Sequence, residues 1–270
     1  VLFVGLGSIG QRHLRNLKTL LGDSVEIHAY RVCRHVPFLN EQLQVVEGRS
    51  IKEQYDILEF DDLDEALSKR PDMVFVTNPG SLHIETAIKA AEVGCHLFIE
   101  KPLSISEEGI DKLLKVVERK GLVAFVAYQL RFHPGLRQVS AWLKEERIGQ
   151  LIYANLILGE YLPGFHPYED YRLGCSAVKN LGGGVILSQI HELDYALWLF
   201  GKPRRIFALG GKLSSLEIDS EDTASMLMEC QCNGKVLPVS MTLDFLRSPP
   251  SRTCSIVGDE GNIVWDYYGK

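Results

Sequence analysis

The first segment of this sequence that could do chemistry is residues 5–10, which read Gly-Leu-Gly-Ser-Ile-Gly and match the pattern G-x-G-x-x-G. The segment follows the apolar run Val1–Val4 and precedes a helical pattern. Gly5 permits a tight turn, Gly7 lets the backbone approach a pyrophosphate, and Gly10 lets the helix pack closely on the strand. The helix N-terminus offers N–H groups to phosphates. The segment therefore predicts a dinucleotide site, and the alternative is an ordinary glycine-rich turn.

The position whose side chain usually binds the ribose of the cofactor carries an arginine in this sequence. An Asp or Glu usually binds the ribose diol about 20 residues beyond the last glycine. Here Arg31 takes that place, and Arg34 follows closely. A guanidinium can pair with a 2′-phosphate, but it can also stack on adenine whichever cofactor is bound. We expect NADP or NAD, with a slight preference for NADP from Arg31.

A second candidate group is Glu100-Lys101-Pro102, which follows a predicted strand. It should lie at the carboxyl edge of a parallel sheet, where ligands bind. A lysine in such a place transfers a proton if burial or a nearby positive charge lowers its pKa. Taken alone, an ordinary solvated lysine is the more common case.

A third candidate group follows the three glycines 182–184. Ser188, His191 and Asp194 are spaced i, i+3, i+6, so on one helix they share a face. The glycines allow the backbone to approach a ligand closely. The alternative is that His191 is a half-buried histidine with satisfied hydrogen bonds.

The elements that must position these groups change character along the chain. Up to residue 126, short apolar runs alternate with helical patterns, including a helix expected over 38–46 and a helix over 63–69 capped by Asp61. This alternation predicts an α/β Rossmann-type doubly wound parallel sheet.

From residue 127 onward the sequence predicts an α+β domain with an open, mainly antiparallel sheet. One helix is expected over 185–200, and Asn233-Gly234 is a strong hairpin signal. We therefore assign residues 1–126 to a dinucleotide-binding Rossmann domain. Residues 127–270 are assigned to a substrate-binding and oligomerisation domain.

The composition excludes several classes of protein. The 270 residues are 46% hydrophobic and 24% charged, as in an average globular chain, and the net charge is −6. A mildly acidic chain without a basic block is a poor candidate for binding nucleic acid or an anionic membrane. The six cysteines show no zinc spacing, so no metal is expected. They are too sparse for a disulfide scaffold, which favours reduced thiols and a cytoplasmic location.

Taken together, the motifs of this sequence resemble those of the glucose–fructose oxidoreductase / inositol 2-dehydrogenase / rhizopine-catabolism family (Gfo/Idh/MocA). The resemblance spans most of the chain, and its motifs are specific in combination. They are Gly5–Gly10, Thr77-Asn78-Pro79 with His83, Glu100-Lys101-Pro102, Tyr128-Gln129-Leu130-Arg131-Phe132 and the glycine–histidine helix of residues 182–201. Residues 161–172 resemble a branch associated with cell-surface sugar metabolism.

The resemblance implies roles for individual residues. Lys101 and His191 match its proton-handling pair, and the Lys101–Pro102 bond is expected to be cis. With Arg31 added from its position, the expected cofactor-binding residues are Gly5, Gly7, Ser8, Ile9, Gly10, Arg31, Asn78, Pro79, His83, Glu100, Lys101 and Gln129. The expected substrate-binding residues are Arg131, Tyr161, His166, Tyr171, Arg172, Ser188 and His191. A surface loop or a subunit contact is an equal alternative for the members from residues 161–172.

The implied activity is an NAD(P)-dependent dehydrogenase or reductase acting on a CH–OH group of a sugar or sugar derivative. Relatives usually carry an Asp where this chain has Ser188, and a hydroxyl cannot act as a carboxylate base. The alternative is therefore a cofactor-binding regulatory or redox-sensing member with weak or lost catalysis. Relatives also continue beyond the position of Lys270, so a trimmed C-terminus is expected. A homodimer or homotetramer through the sheet of the second domain is expected too.

Overall fold

The computed structural model describes residues 1–32 and 36–269. Cys33, Arg34, His35 and Lys270 lie outside the described residues, and so does the expectation that Arg34 assists Arg31. The chain forms two compact units. The first consists of Val1–Ala127 with His166–Glu169, and the second of Tyr128–Phe165 with the chain from Asp170 onward. No helix in the described ranges is long and apolar enough to cross a membrane.

The first unit is built on a six-stranded sheet in which every pair of neighbours is parallel. Its strands are β1 (Leu2–Val4), β2 (His28–Tyr30), β3 (Leu58–Phe60), β4 (Met73–Val76), β5 (His96–Ile99) and β6 (Ala124–Val126). Its helices are α1 (Ser8–Leu21), α2 (Ile51–Tyr55), α3 (Leu63–Ser68), α4 (His83–Glu92) and α5 (Ile110–Lys120). The strand order β3-β2-β1-β4-β5-β6 confirms the predicted Rossmann-type fold.

Along the central strands β1 and β4 both faces of this sheet are buried, as a doubly wound fold requires. Along β1, Leu2 and Val4 join one apolar cluster, while Phe3 joins the other. In register across the sheet, Phe3 stacks on Phe75 of β4 at 4.6 Å between ring centroids, and Phe75 stacks on Phe98 of β5 at 4.6 Å. Each of these three phenylalanines is the last but one residue of its strand, so the aromatic row lies next to the carboxyl edge of the sheet.

The prediction of a helix over residues 38–46 is wrong. The segment is instead a turn in which Leu39 bridges Val45, and Leu43 has a left-handed φ of 59°. The side chain of Asn40 accepts hydrogen bonds from the backbone N–H groups of Gln42 and Gln44. These local hydrogen bonds compete with the backbone hydrogen bonds of a helix. The competition explains why the spacing of apolar residues predicted a helix that does not form here.

Two short elements were not foreseen, namely α2 and β3. The cap of α3 is also one residue later than predicted. Asp62, rather than Asp61, occupies the N-cap position and accepts a hydrogen bond from the backbone N–H of Glu65 at 2.7 Å.

The second unit carries a mixed sheet covered by helices. Its strands are β7 (Leu151–Gly159), β8 (Arg205–Gly211), β9 (Thr223–Cys232), β10 (Lys235–Asp244), β11 (Ser251–Gly258) and β12 (Asn262–Asp266). Its helices are α6 (Pro134–Lys144), α7 (Val185–Ser188) and α8 (His191–Phe200). The strand order is β12-β11-β7-β10-β9-β8. Among the described strands of this second sheet, only the β7–β10 pairing is parallel, which confirms the mainly antiparallel α+β prediction.

Alternation along the strands decides which face of this second sheet is buried. On β9, Met226 and Met228 are buried in the core of the unit, whereas Leu227 between them is 52% exposed. The buried face packs with Tyr195 of α8, which is fully buried. One face of the sheet therefore builds the core, and the other carries exposed apolar side chains.

Candidate active site

The glycine segment forms the loop between β1 and α1 together with the first three residues of α1. Gly5 has a φ of +94°, a conformation that side chains rarely adopt. A Cβ on Gly10 would lie 2.6 Å from the carbonyl oxygen of Gly5, so helix and strand touch there. A Cβ on Gly7, in contrast, would meet nothing within 4 Å. Gly7 is the N-cap of α1 and has no side chain to cap the first turn, which contains Ser8 and Ile9. The segment is thus tightly packed against the protein at Gly5 and Gly10, whereas the space next to Gly7 is free of protein atoms.

Asn78 and His83 connect the loops that follow β4 and β5. The Nε2 of His83 lies 2.8 Å from the carbonyl oxygen of Asn78, and its Nδ1 lies 2.7 Å from that of Pro102. Burial lowers the pKa of His83, and the hydrogen bonds to these two carbonyls oppose that shift. Asn78 donates to the hydroxyl of Thr86 at 3.0 Å. Pro79, between these residues, is partly exposed. His83 therefore acts as a link between two backbone segments.

Glu100 and Lys101 directly follow β5. One carboxylate oxygen of Glu100 lies 2.7 Å from the Nε2 of His13 on α1, and the other accepts the backbone N–H of Lys101 at 3.0 Å. The ring of His13 meets Phe98 edge-on at 4.8 Å between centroids. Glu100 is buried, Lys101 is partly exposed, and the Lys101–Pro102 bond is cis as predicted. Glu100 is thus held by α1 on one side and by the start of the Lys101 segment on the other.

Arg31, at the end of β2, is not available in the way the sequence suggested. Its Nη1 donates to a carboxylate oxygen of Glu59 on the neighbouring strand β3 at 2.7 Å. The two side chains are 8% and 12% exposed, respectively. Because Glu59 neutralises the charge of Arg31, the argument for a 2′-phosphate at this position loses its main support.

The residues at this edge fit a dinucleotide. Parallel strands direct the segments after β1, β4 and β5 to the same carboxyl edge, and these three strands are neighbours in the sheet. The open space at Gly7 and the uncapped start of α1 suit a pyrophosphate. The Oδ1 of Asn78 and the Nε of Arg31 are buried without a hydrogen-bond partner in the described part of the chain, so an acceptor and a donor remain for a polar ligand.

His191 lies in the second unit, at the first residue of α8, and is 5% exposed. The ring of Tyr128 meets it edge-on at 6.0 Å between centroids. Burial raises the pKa of Tyr128, and so does the nearby carboxylate of Asp194. Tyr128 precedes Gln129 and Arg131, which lie in the same short turn and are both exposed.

Arg131 is fixed by Asp194, one turn along α8 from His191. The Nε and Nη2 of Arg131 donate to the two carboxylate oxygens of Asp194, both at 2.8 Å. The guanidinium carbon also lies 6.0 Å from the ring centroid of Trp198. Arg131 remains 44% exposed, so a held guanidinium with one accessible edge lies beside the helix that carries His191.

The predicted single helix over 185–200 is interrupted. α7 ends at Ser188, and Gln189 leaves the helical conformation with φ −101° and ψ 27°. The amide Nε2 of Gln189 donates to the carbonyl oxygen of Asp244 on β10, which fixes the break. Ser188 and His191 therefore belong to different helices, and the face-sharing argument does not apply to this pair.

A buried ion pair fixes the start of α8. The carboxylate of Glu192 accepts two hydrogen bonds from the guanidinium of Arg252 on β11, at 2.6 and 2.9 Å. Burial raises the pKa of Glu192, and Arg252 opposes that shift. The pair anchors the residue next to His191 to the sheet.

Most of the predicted substrate-binding residues between positions 161 and 172 form hydrogen bonds or ion pairs with other residues of the chain. Asp170 and Glu217 both bind the guanidinium of Arg172, at 2.6 and 3.2 Å. The hydroxyl of Tyr171 accepts the backbone N–H of Glu217 at 3.3 Å. These bonds favour the loop-structure alternative for Tyr171 and Arg172.

The other two loop candidates differ from each other in their surroundings. His166 belongs to the first unit and lies 2.6 Å from the carboxylate of Glu169. Tyr161, in the second unit, is 47% exposed.

Sequence reasoning missed His13, Glu59 and the pairing of Asp194 with Arg131. His13 comes one turn after Gly10, so its position on the face of α1 towards the sheet was a usable signal. Nothing in the sequence around Glu59 pointed to the site. Within residues 1–32 and 36–269 no three His, Cys, Asp or Glu side chains gather as metal ligands would.

Comparison with known proteins gives two family matches. The model of the GFO_IDH_MocA oxidoreductase family, NAD-binding Rossmann fold, matches residues 1–128. The model of the GFO/IDH/MocA C-terminal domain matches residues 136–264.

Two curated relatives and one solved structure illustrate the similarity. The 2,7-anhydro-N-acetylneuraminate hydratase of Mediterraneibacter gnavus is 27% identical over 169 residues, which cover 62% of this chain and 44% of that protein. The scyllo-inositol 2-dehydrogenase (NAD(+)) of Bacillus subtilis is 29% identical over 202 residues, which cover 73% and 53%. The chain thus spans about half the length of the curated relatives it matches.

The WlbA dehydrogenase of Bordetella pertussis, solved in complex with NADH and UDP-GlcNAcA, aligns with a TM-score of 0.81 at 22% identity. The alignment covers 98% of this chain and 72% of that protein. This likeness confirms the fold.

Proposed function

Because this chain belongs to the Gfo/Idh/MocA family of NAD-binding oxidoreductases, we propose that it transfers a hydride between nicotinamide C4 and a carbinol carbon of a sugar or sugar derivative. The observation that carries the proposal is the carboxyl edge of the first sheet, where the open loop at Gly7, the buried acceptor of Asn78 and the Glu100–Lys101 pair follow adjacent strands. The two curated relatives support the substrate class, since both are named for carbohydrate-like compounds.

The residues of the first unit would bind the cofactor and move a proton. The first turn of α1 would bind the pyrophosphate through backbone N–H groups. Asn78 would accept a hydrogen bond from a polar group of the cofactor, and Glu100 would lie near the nicotinamide ribose. When bound, the nicotinamide supplies the hydride acceptor or donor. The Nζ of Lys101 would take the proton from the reacting hydroxyl or return it.

The residues of the second unit would orient the substrate. His191 would share the proton handling or stabilise the developing negative charge on the substrate oxygen. Arg131, held by two hydrogen bonds to Asp194, would present its accessible edge to an acceptor on the substrate. Tyr161 and Ser188 remain candidates for hydrogen bonds to sugar hydroxyls.

The test is Lys101→Ala, assayed with NAD and NADP against sugars, inositols and nucleotide sugars. We expect turnover to be lost while cofactor binding, followed by fluorescence titration, is retained. Lys89→Ala, which removes an exposed lysine of α4, is the matched control and should leave turnover unchanged. Unchanged turnover in Lys101→Ala would refute the role of this lysine.

The second candidate function is a cofactor-binding regulatory or redox-sensing protein. Ser188 favours it, because relatives usually carry a carboxylate at this place and a serine cannot supply one. Under this proposal the wild-type chain binds the cofactor but reduces none of it with any substrate of the panel, and Ser188→Asp creates or greatly raises activity. Robust turnover by the wild-type chain would exclude it.

We also propose a homo-oligomer formed through the open face of the second sheet. Phe207 of β8 lies directly opposite Leu227 of β9, and these side chains are 65% and 52% exposed. A contiguous apolar surface of this kind suits a self-complementary contact. Light scattering should show a dimer or tetramer that Leu227→Glu dissociates, and a wild-type monomer at micromolar concentration would contradict the proposal. A cytoplasmic location remains a prediction from cysteine usage.

A further inference from the structure

Arg31, which directly follows β2, and Glu59 of the adjacent strand β3 form an ion pair. The pair lies at the place where a Rossmann fold binds the adenosine ribose. β2 and β3 are parallel neighbours in which Ala29 pairs with Glu59 and Tyr30 with Phe60. The backbone N–H of Arg31 continues this ladder by donating to the carbonyl oxygen of Phe60 at 3.2 Å. The register therefore brings the side chain of Glu59 beside that of Arg31.

The contact is short and largely removed from solvent. Nη1 of Arg31 lies 2.7 Å from Oε1 of Glu59, and the side chains are 8% and 12% exposed. Separating a buried pair leaves an uncompensated charge, which is strongly unfavourable. Arg31 is thus expected to keep this partner when a cofactor binds rather than turn towards a new anion.

The charge balance of the pair favours a neutral ribose. A 2′-phosphate brings up to two negative charges next to a guanidinium whose charge Glu59 already compensates, and it places them near the Glu59 carboxylate itself. A ribose diol brings no charge. The Nε of Arg31, which has no hydrogen-bond partner in the described part of the chain, can donate to a neutral hydroxyl oxygen.

We propose that Glu59 is a specificity-determining residue that holds and neutralises Arg31, so that the chain prefers NAD over NADP. The inference reverses the preference that Arg31 alone suggested, and it rests on the nicotinamide cofactor of the proposed function. Glu59 takes the place of the usual acid from a different strand, and it acts through the arginine.

The experiment compares wild type with Glu59→Gln in binding rather than in turnover. Dissociation constants are measured by calorimetry for NAD, NADP, AMP and 2′,5′-ADP, because the last two differ only in the 2′-phosphate and do not need the nicotinamide subsite. The wild-type chain should bind NAD and AMP more tightly than their 2′-phosphorylated counterparts. In Glu59→Gln the affinity for NADP and 2′,5′-ADP should rise roughly 10–100-fold, the value of a charge-assisted hydrogen bond. The affinity for NAD should change less than about threefold.

Control variants separate this effect from a general loss of charge. Glu92→Gln breaks an exposed ion pair between Glu92 of α4 and Arg119 of α5 and should change no ratio. Arg31→Met combined with Glu59→Gln should lose the gain for 2′-phosphorylated ligands, because the gain depends on the freed guanidinium. Glu59→Ala provides a second variant that removes the charge, and thermal unfolding shows that each variant is folded.

The outcomes distinguish the two proposals. If the wild-type chain binds neither NAD nor NADP, the proposed function fails. If it binds a cofactor but the NADP-to-NAD ratio is unchanged in both Glu59 variants, or the gain persists in the double variant, the role of Glu59 is refuted. A wild-type preference for NADP would refute it as well.

Discussion

Gly7, the N-cap of α1, and Gly10, in the first turns of that helix, should have different effects when each is replaced by alanine. A Cβ on Gly10 would lie 2.6 Å from the carbonyl oxygen of Gly5 and 3.0 Å from the hydroxyl of Thr77. That hydroxyl donates to the same carbonyl at 2.7 Å, so both obstacles belong to one hydrogen-bonded group. A Cβ on Gly7 would meet no protein atom within 4 Å, and the φ of −65° there suits alanine. Gly10→Ala should therefore damage the fold, and Gly7→Ala should damage the ligand site.

The sizes of the two effects follow from these distances. To bring the new Cβ of Gly10→Ala to 3.0 Å from the Gly5 oxygen, helix and strand must separate by at least 0.4 Å, the difference between 3.0 and 2.6 Å. Overpacking of this kind lowers the free energy of unfolding by about 1–3 kcal/mol. In Gly7→Ala the exchange at an N-cap changes that free energy by less than about 1 kcal/mol. The Cβ of this variant occupies the space at the phosphate instead, so we expect roughly 10–100-fold weaker binding of NAD.

The assay measures both quantities on each variant. Unfolding in urea reports the change in stability, and calorimetric titration with NAD reports the dissociation constant. Gly164→Ala, whose Cβ also meets nothing within 4 Å, is the control for a harmless exchange. Wild-type NAD affinity in Gly7→Ala would refute the assignment of the open space to the pyrophosphate. Wild-type stability in Gly10→Ala would refute the close contact between α1 and β1.

Two further predictions concern the second unit. Burial raises the pKa of Asp222, but hydrogen bonds from Ser214 and Leu213 outweigh it and hold the value at about 2. Because the folded pKa lies below the ordinary value of 3.8, this stabilisation is present above about pH 4 and is lost as the pH falls towards 2. Asp222→Asn should lower the free energy of unfolding by roughly 2 kcal/mol at neutral pH, with the gap closing between pH 4 and 2 in urea titrations. Asp194→Asn should release Arg131 and raise the KM for substrate about tenfold with NAD affinity unchanged, and an unchanged KM would argue against a substrate role for Arg131.

The sequence predicted those parts of the fold that depend on local pattern. Apolar strands alternating with helices were enough for the Rossmann-type sheet, and Asn233-Gly234 for the β9–β10 hairpin. It failed where a single side chain overrides the pattern. Asn40 accepts two backbone N–H groups and closes a turn where a helix was expected, and Gln189 donates to a neighbouring strand and breaks the helix between Ser188 and His191.

The candidate site shows the same division. The glycine loop, Asn78 and Glu100-Lys101 were predicted because each motif lies within a few residues of a strand end. The hydrogen bonds and ion pairs that these residues make could not be predicted, because the two residues of each contact are far apart in the sequence. His13 and Glu100 are 87 residues apart, and Asp194 and Arg131 are 63 apart.

Arg31 shows why residue type at a motif position is insufficient to choose between NAD and NADP. The partner that we propose as decisive, Glu59, lies on a strand of only three residues whose central side chain is charged, too short and too polar for periodicity to reveal. An arginine at the end of β2 favours a 2′-phosphate only when its charge is uncompensated, and the parallel register of β2 and β3 decides whether it is. Under this proposal, recognition of the ribose in this chain depends on the ends of two adjacent strands, β2 and β3.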